Sequence, residues 1–172
     1  MQRLTELIIA KRNERYLKQK GAIEFGQDHY PFIVMTHCLF FIAFIVEVTT
    51  LNKDLSTNWL FLLLLFLITQ AGRLWALYSL GIFWNTKILV LPNADIVKKG
   101  PYRFVKHPNY LIVTIEFLII PLFFQAYITA VLFSFLNAVI LAIRIPAEEK
   151  ALKQLTAYEE AFRPTSENVK KV

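Results

Sequence analysis

Two apolar runs, residues 32–51 and 59–80, constrain this chain more than any other feature of it. A helix of about 20 residues rises about 30 Å, the thickness of a bilayer's hydrocarbon core. Backbone inside lipid must satisfy its own hydrogen bonds, so such runs cross as helices. Two more apolar segments, 109–124 and 126–145, are joined by almost nothing and read as an antiparallel helical hairpin. The sequence therefore predicts an all-α polytopic membrane bundle of about four spans. The chain is 56% hydrophobic, above the ordinary soluble range, which agrees with that reading. At 172 residues it reads as one domain, 1–172. The single cysteine, Cys38, lies inside an apolar run, which excludes an intrachain disulfide and offers no zinc spacing.

The flanks are basic. Residues 4–17 can form an amphipathic helix with Leu4, Leu7, Ile8 and the stem of Lys11 on one side. Gly21 and Gly26 close that helical stretch, and Tyr30-Pro31 opens the first span. A loop over 81–107 contains a possible extended run, Ile88-Leu89-Val90-Leu91. An amphipathic helix over 146–162 is expected to start at Pro146, with Glu148 and Glu149 in its first turn. Of 19 Lys and Arg, only Lys53 falls in a loop on the far side if residues 32–51 run outward. That asymmetry predicts both termini and the 81–107 loop in the cytosol, in a multi-pass membrane protein. In a soluble chain a net charge of +6 would suggest nucleic acid; here the cations sit in loops, as topology requires.

Between the apolar segments lies a polar island, Lys99-Gly100-Pro101-Tyr102-Arg103-Phe104-Val105-Lys106-His107-Pro108-Asn109-Tyr110. Gly100-Pro101 marks a turn, and Pro108 suits the first turn of a new helix. Irregular backbone at a membrane surface has to pack on protein or line a cavity. The island and the stretch Arg144-Ile145-Pro146-Ala147-Glu148-Glu149 flank the same hairpin, so His107, Tyr110, Arg144, Glu148 and Glu149 can converge. One cation, two carboxylates, a histidine and aromatics suit a zwitterionic ligand bearing a flat ring. Arg144 and Glu148 could equally be an i, i+4 surface pair. His37, Glu47, Arg73 and Glu116 lie within or near the ends of the apolar runs, where ionisable groups are costly in lipid. They either pair between helices, Glu47 or Glu116 with Arg73, or line a cavity for a polar substrate head. His107 has no partner at a metal-ligand spacing, so no metal is expected. Tyr158-Glu159-Glu160 reads as a solvated face. No glycine-rich phosphate cradle, dinucleotide fingerprint or nucleophile elbow is present.

The island Gly100-x-Tyr102…Lys106-His107-Pro108-x-Tyr110, followed by Arg144-x-x-x-Glu148-Glu149, resembles the signature of the isoprenylcysteine carboxyl methyltransferase family. That pattern reads Gly-x-Tyr-x-x-x-Arg-His-Pro-x-Tyr, then Arg-x-x-x-Glu-Glu. The resemblance covers roughly residues 70–160. Lys106 departs from it: the charge is kept, but the forked guanidinium is lost. The remainder of the chain is similar to short bacterial members, including the Arg12-Asn13-Glu14-Arg15 and His29-Tyr30-Pro31 stretches. Some of these methylate a ring hydroxyl of long-chain alkylpyrones made by type III polyketide synthases. The resemblance implies S-adenosylmethionine as methyl donor, a lipidic acceptor, and a cofactor-binding part at about 84–162. It implies Tyr102, His107, Pro108 and Tyr110 as walls of the cofactor site, backbone near Val90 and Leu91 as support, and Arg144, Glu148 and Glu149 where the donor's amino-acid end meets the acceptor. Arg144 and Glu148 would carry the catalytic role.

Two other readings compete. The Tyr…His-Pro-x-Tyr feature also occurs in NADPH-dependent membrane sterol reductases, and a small lipid-binding scaffold would need no cofactor. Paired glutamates and small size favour the methyltransferase.

Overall fold

The computed structural model describes residues 2–162. The chain runs α1 (Gln2–Gln19), β1 (Ile23–Phe25), α2 (Tyr30–Thr50), α3 (Trp59–Leu80), a 3-10 turn Gly81–Phe83, β2 (Ile88–Val90), a second 3-10 turn Gly100–Arg103, α4 (Pro108–Leu122), α5 (Tyr127–Leu155) and α6 (Tyr158–Phe162). Its contacts divide into two compact units. A helical unit holds Gln27–Gly81 and Lys98–Arg144; a ribbon unit holds, of the described residues, 2–26, Ile82–Val97 and 145–162.

In the helical unit, α2 starts on a proline in its first turn, where the missing N–H is harmless. Among the described residues three helices are long and apolar enough to cross a membrane: Tyr30–Thr50, Trp59–Phe83 and Tyr127–Leu155. The fourth apolar helix, Pro108–Leu122, has 15 residues. Phe40, Phe117 and Phe133 form the core of this unit, packed by Ala43, Val113, Ile120 and Leu136. The ring centroids of Phe40 and Phe117 lie 4.6 Å apart at 60°, and those of Phe40 and Phe133 lie 5.5 Å apart at 75°. Such tilted and edge-on pairs add about 0.5–1.5 kcal/mol beyond area burial. Outside that core, Phe32, Ile42, Leu60, Ile128, Val131 and Phe135 are all exposed. An apolar surface of this extent needs a lipid solvent. At one end the two helical turns are tied together, the Ser56 amide donating to the Phe123 carbonyl at 2.7 Å.

The structure corrects the expected helix start at Pro146. α5 runs unbroken from Tyr127 to Leu155, with Pro146 inside it. A proline there removes one backbone bond, but the helix is held by packing both before and after it. Phe133, Asn137 and Arg144 are buried in the helical unit, and Ala147 and Ala151 pack in the ribbon unit.

In the ribbon unit, β1 and β2 pair antiparallel with Ile23 opposite Val90, Glu24 opposite Leu89 and Phe25 opposite Ile88. The extended run at 88–91 was anticipated; its partner strand was not. Ile88, Val90 and Ala151 form the core, with Phe25, Ala147, Leu152 and Leu155 around it. The expected apolar stripe of α1, Leu4, Leu7 and Ile8, is exposed, and the opposite stripe, Glu6, Ala10, Asn13 and Leu17, is the buried one. Polar anchoring decides this. Asn13 Nδ2 donates to the Trp84 carbonyl at 2.8 Å, and Asn85 Nδ2 to the Ala10 carbonyl at 3.3 Å.

Four alternating charges tie α1 to the ribbon. Lys18 Nζ lies 2.8 Å from Glu14 and 2.6 Å from Glu24; Lys87 Nζ lies 2.9 Å from Glu14 and 3.1 Å from Glu24. Burial alone would raise both glutamates, but the hydrogen bonds and charges of Lys18 and Lys87 outweigh it and hold both carboxyls below their ordinary value. Lys18 is raised to about 12, and Lys87 is also raised, by hydrogen bonds to Glu14 and Glu24. A carboxyl depressed in the fold stabilises above its ordinary pKa, and that stability is lost as pH falls through the depressed value. A raised lysine stabilises below its ordinary pKa and loses that as pH rises through its folded value. Stability from the ring should therefore be flat through neutral pH and decline in acid. Glu24→Gln should lower Tm by about 2–4 °C at neutral pH, as expected for removing about 1 kcal/mol of partly exposed pairing. The deficit should vanish in strong acid, where both proteins lack the carboxylate. Thermal unfolding of the detergent-purified protein across pH checks this.

Candidate active site

The island is built from Gly100 outward. Gly100 has φ +59°, a conformation that favours glycine. A Cβ there would collide with Ser79 Oγ and come within 2.8 Å of Ser79 Cβ and 3.0 Å of Trp75 Nε1 on α3. The turn that follows, with partly buried Tyr102, therefore lies directly on the end of α3. His107 caps α4 with non-helical backbone (φ −126°, ψ 66°), Pro108 takes the first helical position, and the Tyr110 amide donates to the His107 carbonyl at 3.1 Å.

This geometry brings three expected residues together. The His107 and Tyr110 rings stack with centroids 5.3 Å apart at 16°. Arg144 Nε donates to Tyr110 Oη at 2.7 Å. Arg144 is only 6% exposed. A guanidinium held on a phenol beside an imidazole makes a positively biased, hydrogen-bonding patch in an apolar unit, suited to an anionic oxygen.

Two further residues extend this patch as a polar seam between α4 and α5. Asn137 Nδ2 donates to Thr114 Oγ1 at 2.9 Å, and Thr114 Oγ1 donates to the Tyr110 carbonyl at 2.9 Å. Sequence reasoning missed both. The signal was Asn137 within an apolar run, seven residues before Arg144 and so on the same helical side.

The other expected residues lie in the ribbon unit. Val90 is buried in β2, and the Leu91 carbonyl accepts the Ala94 amide at 3.2 Å. Glu148 and Glu149 are half-buried on α5. Tyr158, expected on a solvated face, is buried and donates its hydroxyl to Glu149 Oε1 at 3.3 Å. Burial first, then the charges of Glu149 and Glu148, push the Tyr158 phenol upward, so it stays a donor across physiological pH. Glu159 and Glu160 are exposed, as read.

The four ionisable residues of the spans perform local tasks. Arg73 Nη2 lies 2.6 Å from Glu116 Oε2, while Gln70 Nε2 donates to Glu116 Oε1 at 2.7 Å, in the contact between α3 and α4. Glu47 accepts from the Ile128 and Thr129 amides at 3.1 and 2.7 Å and from Thr129 Oγ1 at 2.6 Å. It thereby caps the N-terminus of α5 from a neighbouring helix. His37 Nδ1 donates to the Ile33 carbonyl at 2.8 Å, its ring 5.1 Å from that of Phe117. Of the two expected pairings, Arg73 with Glu116 is the one formed. Among the described residues no three His, Cys, Asp or Glu side chains stand together as a metal site.

Comparison with known proteins follows the same residues. The family model described as the isoprenylcysteine carboxyl methyltransferase (ICMT) family matches residues 61–154, which include the whole polar seam and Arg73–Glu116. An uncharacterized protein of Bacillus subtilis, YpbQ, is 53% identical over 154 residues, covering 90% of this chain and 92% of that protein. An uncharacterized protein of Haemophilus influenzae is 32% identical over 154 residues, covering 89% and 90%. No solved structure matches the chain.

Proposed function

The chain belongs to the isoprenylcysteine carboxyl methyltransferase family, and from that premise we propose that it is a membrane S-adenosylmethionine-dependent O-methyltransferase acting on a lipid-borne, acidic oxygen. The acceptor class we favour is the ring hydroxyl of a long-chain alkylpyrone-type polyketide, with a carboxylate such as that of prenylcysteine as the other candidate. Under the first, a type III polyketide synthase supplies the substrate. The observation that carries the reading is the Arg144–Tyr110 hydrogen bond beside the stacked His107.

The side chains suit the donor's chemistry. Glu148 and Glu149 match an ammonium, Arg144 or His107 a carboxylate, and Tyr102, Tyr110 and the Pro108 turn a flat heteroaromatic ring. Val90 and Leu91 would add apolar wall and backbone. When bound, the sulfonium supplies an electrophilic methyl group. The chain's own contribution is alignment and exclusion of water. Arg144 orients the acceptor oxygen as an anion, Tyr110 fixes the guanidinium plane, and the apolar helices around them keep the site dry. An acidic enol, its charge delocalised onto a conjugated carbonyl, or a carboxylic acid is already ionised near neutral pH, so no strong base is required. His37, Glu47, Arg73 and Glu116 are the proposed polar lining of the acceptor's path, acting through the helix positions they hold.

His107→Ala and Glu148→Ala should each weaken S-adenosylhomocysteine binding by about ten- to a hundredfold, the effect of losing a charge-assisted contact of about 1.5–3 kcal/mol. Calorimetry on folded variants is the test. Unchanged affinity in both, or binding of NADPH instead, turns the reading toward a reductase or a scaffold.

The cation distribution supports an active site at the cytosolic face of a multi-pass bacterial membrane protein. In a Cys38→Ser background, cysteines at positions 54 and 95 should label from opposite sides. Labelling of both from one side overturns that topology.

A further inference from the structure

We propose that the tip of the island, Arg103 to Lys106, is a membrane anchor that inserts Phe104 and Val105 at the headgroup–acyl boundary and binds anionic lipid headgroups through its flanking cations. Phe104 is 70% exposed and Val105 is 40% exposed, an apolar pair presented outward by a short loop. The Arg103 guanidinium lies over the Phe104 ring at 4.9 Å, which keeps the cation beside the apolar tip.

The depth of this tip follows from what holds it. The Gly100 turn is seated on Ser79 and Trp75 in the last turns of α3. There Trp75 is 51% exposed and Tyr78 is 75% exposed. Exposed tryptophan and tyrosine near the end of a spanning helix mark the membrane–water interface. A turn fixed at that level places an outward Phe-Val pair against lipid rather than in bulk water. Its charge selects the lipid. Residues 98–109 contain Lys98, Lys99, Arg103 and Lys106 and no Asp or Glu. A juxtamembrane cation gains about fivefold in partitioning toward an anionic surface. Phe104 stands three residues from His107, so the same contact seats the loop that carries the proposed site.

The experiment uses the full chain with Cys38→Ser and Phe104→Cys, labelled with an environment-sensitive nitrobenzoxadiazole probe. It is reconstituted in vesicles of phosphatidylcholine alone or mixed with phosphatidylglycerol. The expected result is blue-shifted emission, quenched by lipids spin-labelled near the headgroup, in the mixed vesicles. Quenching should fall in phosphatidylcholine alone, in high salt, and in the Lys99→Gln/Arg103→Gln variant at unchanged Tm. Water-like emission in every vesicle overturns the proposal and leaves the tip as a surface for a soluble protein. Quenching indifferent to lipid charge and salt overturns the anionic-lipid part. No methyl transfer enters the readout, so its failure is separate from failure of the methyltransferase reading.

Discussion

Arg144→Lys is expected to lower turnover by about ten- to a hundredfold, while S-adenosylhomocysteine affinity stays within about threefold of the parent. Lysine keeps the charge but loses the planar fork, and with it the Nε that donates to Tyr110 Oη at 2.7 Å. A point ammonium on a flexible stem can still attract an anion, yet it no longer aligns that oxygen in one direction. Alignment matters in the in-line displacement more than in ground-state binding, so the loss should appear in kcat. Tyr110→Phe should show a smaller loss of the same kind, since it removes the phenol and spares the guanidinium. If Arg144 serves only to hold α4 against α5, lysine should cost Tm rather than specific activity. Tm, cofactor affinity and turnover measured on the same preparations separate the two outcomes.

Glu116→Gln is expected to destabilise the helical unit by about 3–5 kcal/mol, because it removes the carboxylate charge that a buried guanidinium meets. Arg73 is 1% exposed, and Glu116 meets it at 2.6 Å while accepting from Gln70. Both residues lie in the packed contact between α3 and α4. Replacing the pair together, Arg73→Met with Glu116→Met, should recover most of that loss, since it leaves no uncompensated charge and fills similar volume. Unfolding in mixed detergent, followed by tryptophan fluorescence, measures both variants. A single mutant as stable as the parent contradicts the structural role of the pair.

How far the sequence leads depends on which force decides each element. The spans were legible because burial in lipid is a composition property of consecutive residues, and 32–51 and 59–80 state it directly. The island was legible from Gly100, Pro101 and Pro108, whose backbone preferences are local. Pro146 misled because a proline's local tendency to open a helix was overridden by packing on both sides of it. The buried side of α1 was not legible, since Asn13 and Asn85 find backbone carbonyls more than 70 residues away. For the same reason Tyr158 looked solvated until its hydroxyl met Glu149. In the site, His107, Tyr110 and Arg144 came from the motif, whereas Thr114 and Asn137 were hidden by a seam that only the pairing of α4 with α5 creates.

Methyl transfer itself tests the central claim most directly. The purified protein is incubated with S-adenosylmethionine labelled on the methyl group and a bacterial lipid extract, and the organic phase is separated and identified by mass. The account predicts a labelled lipid carrying one new O-methyl group, formed by the parent protein and strongly reduced with Arg144→Lys. A lipid phase without label, from a protein that does not bind S-adenosylhomocysteine, would contradict it.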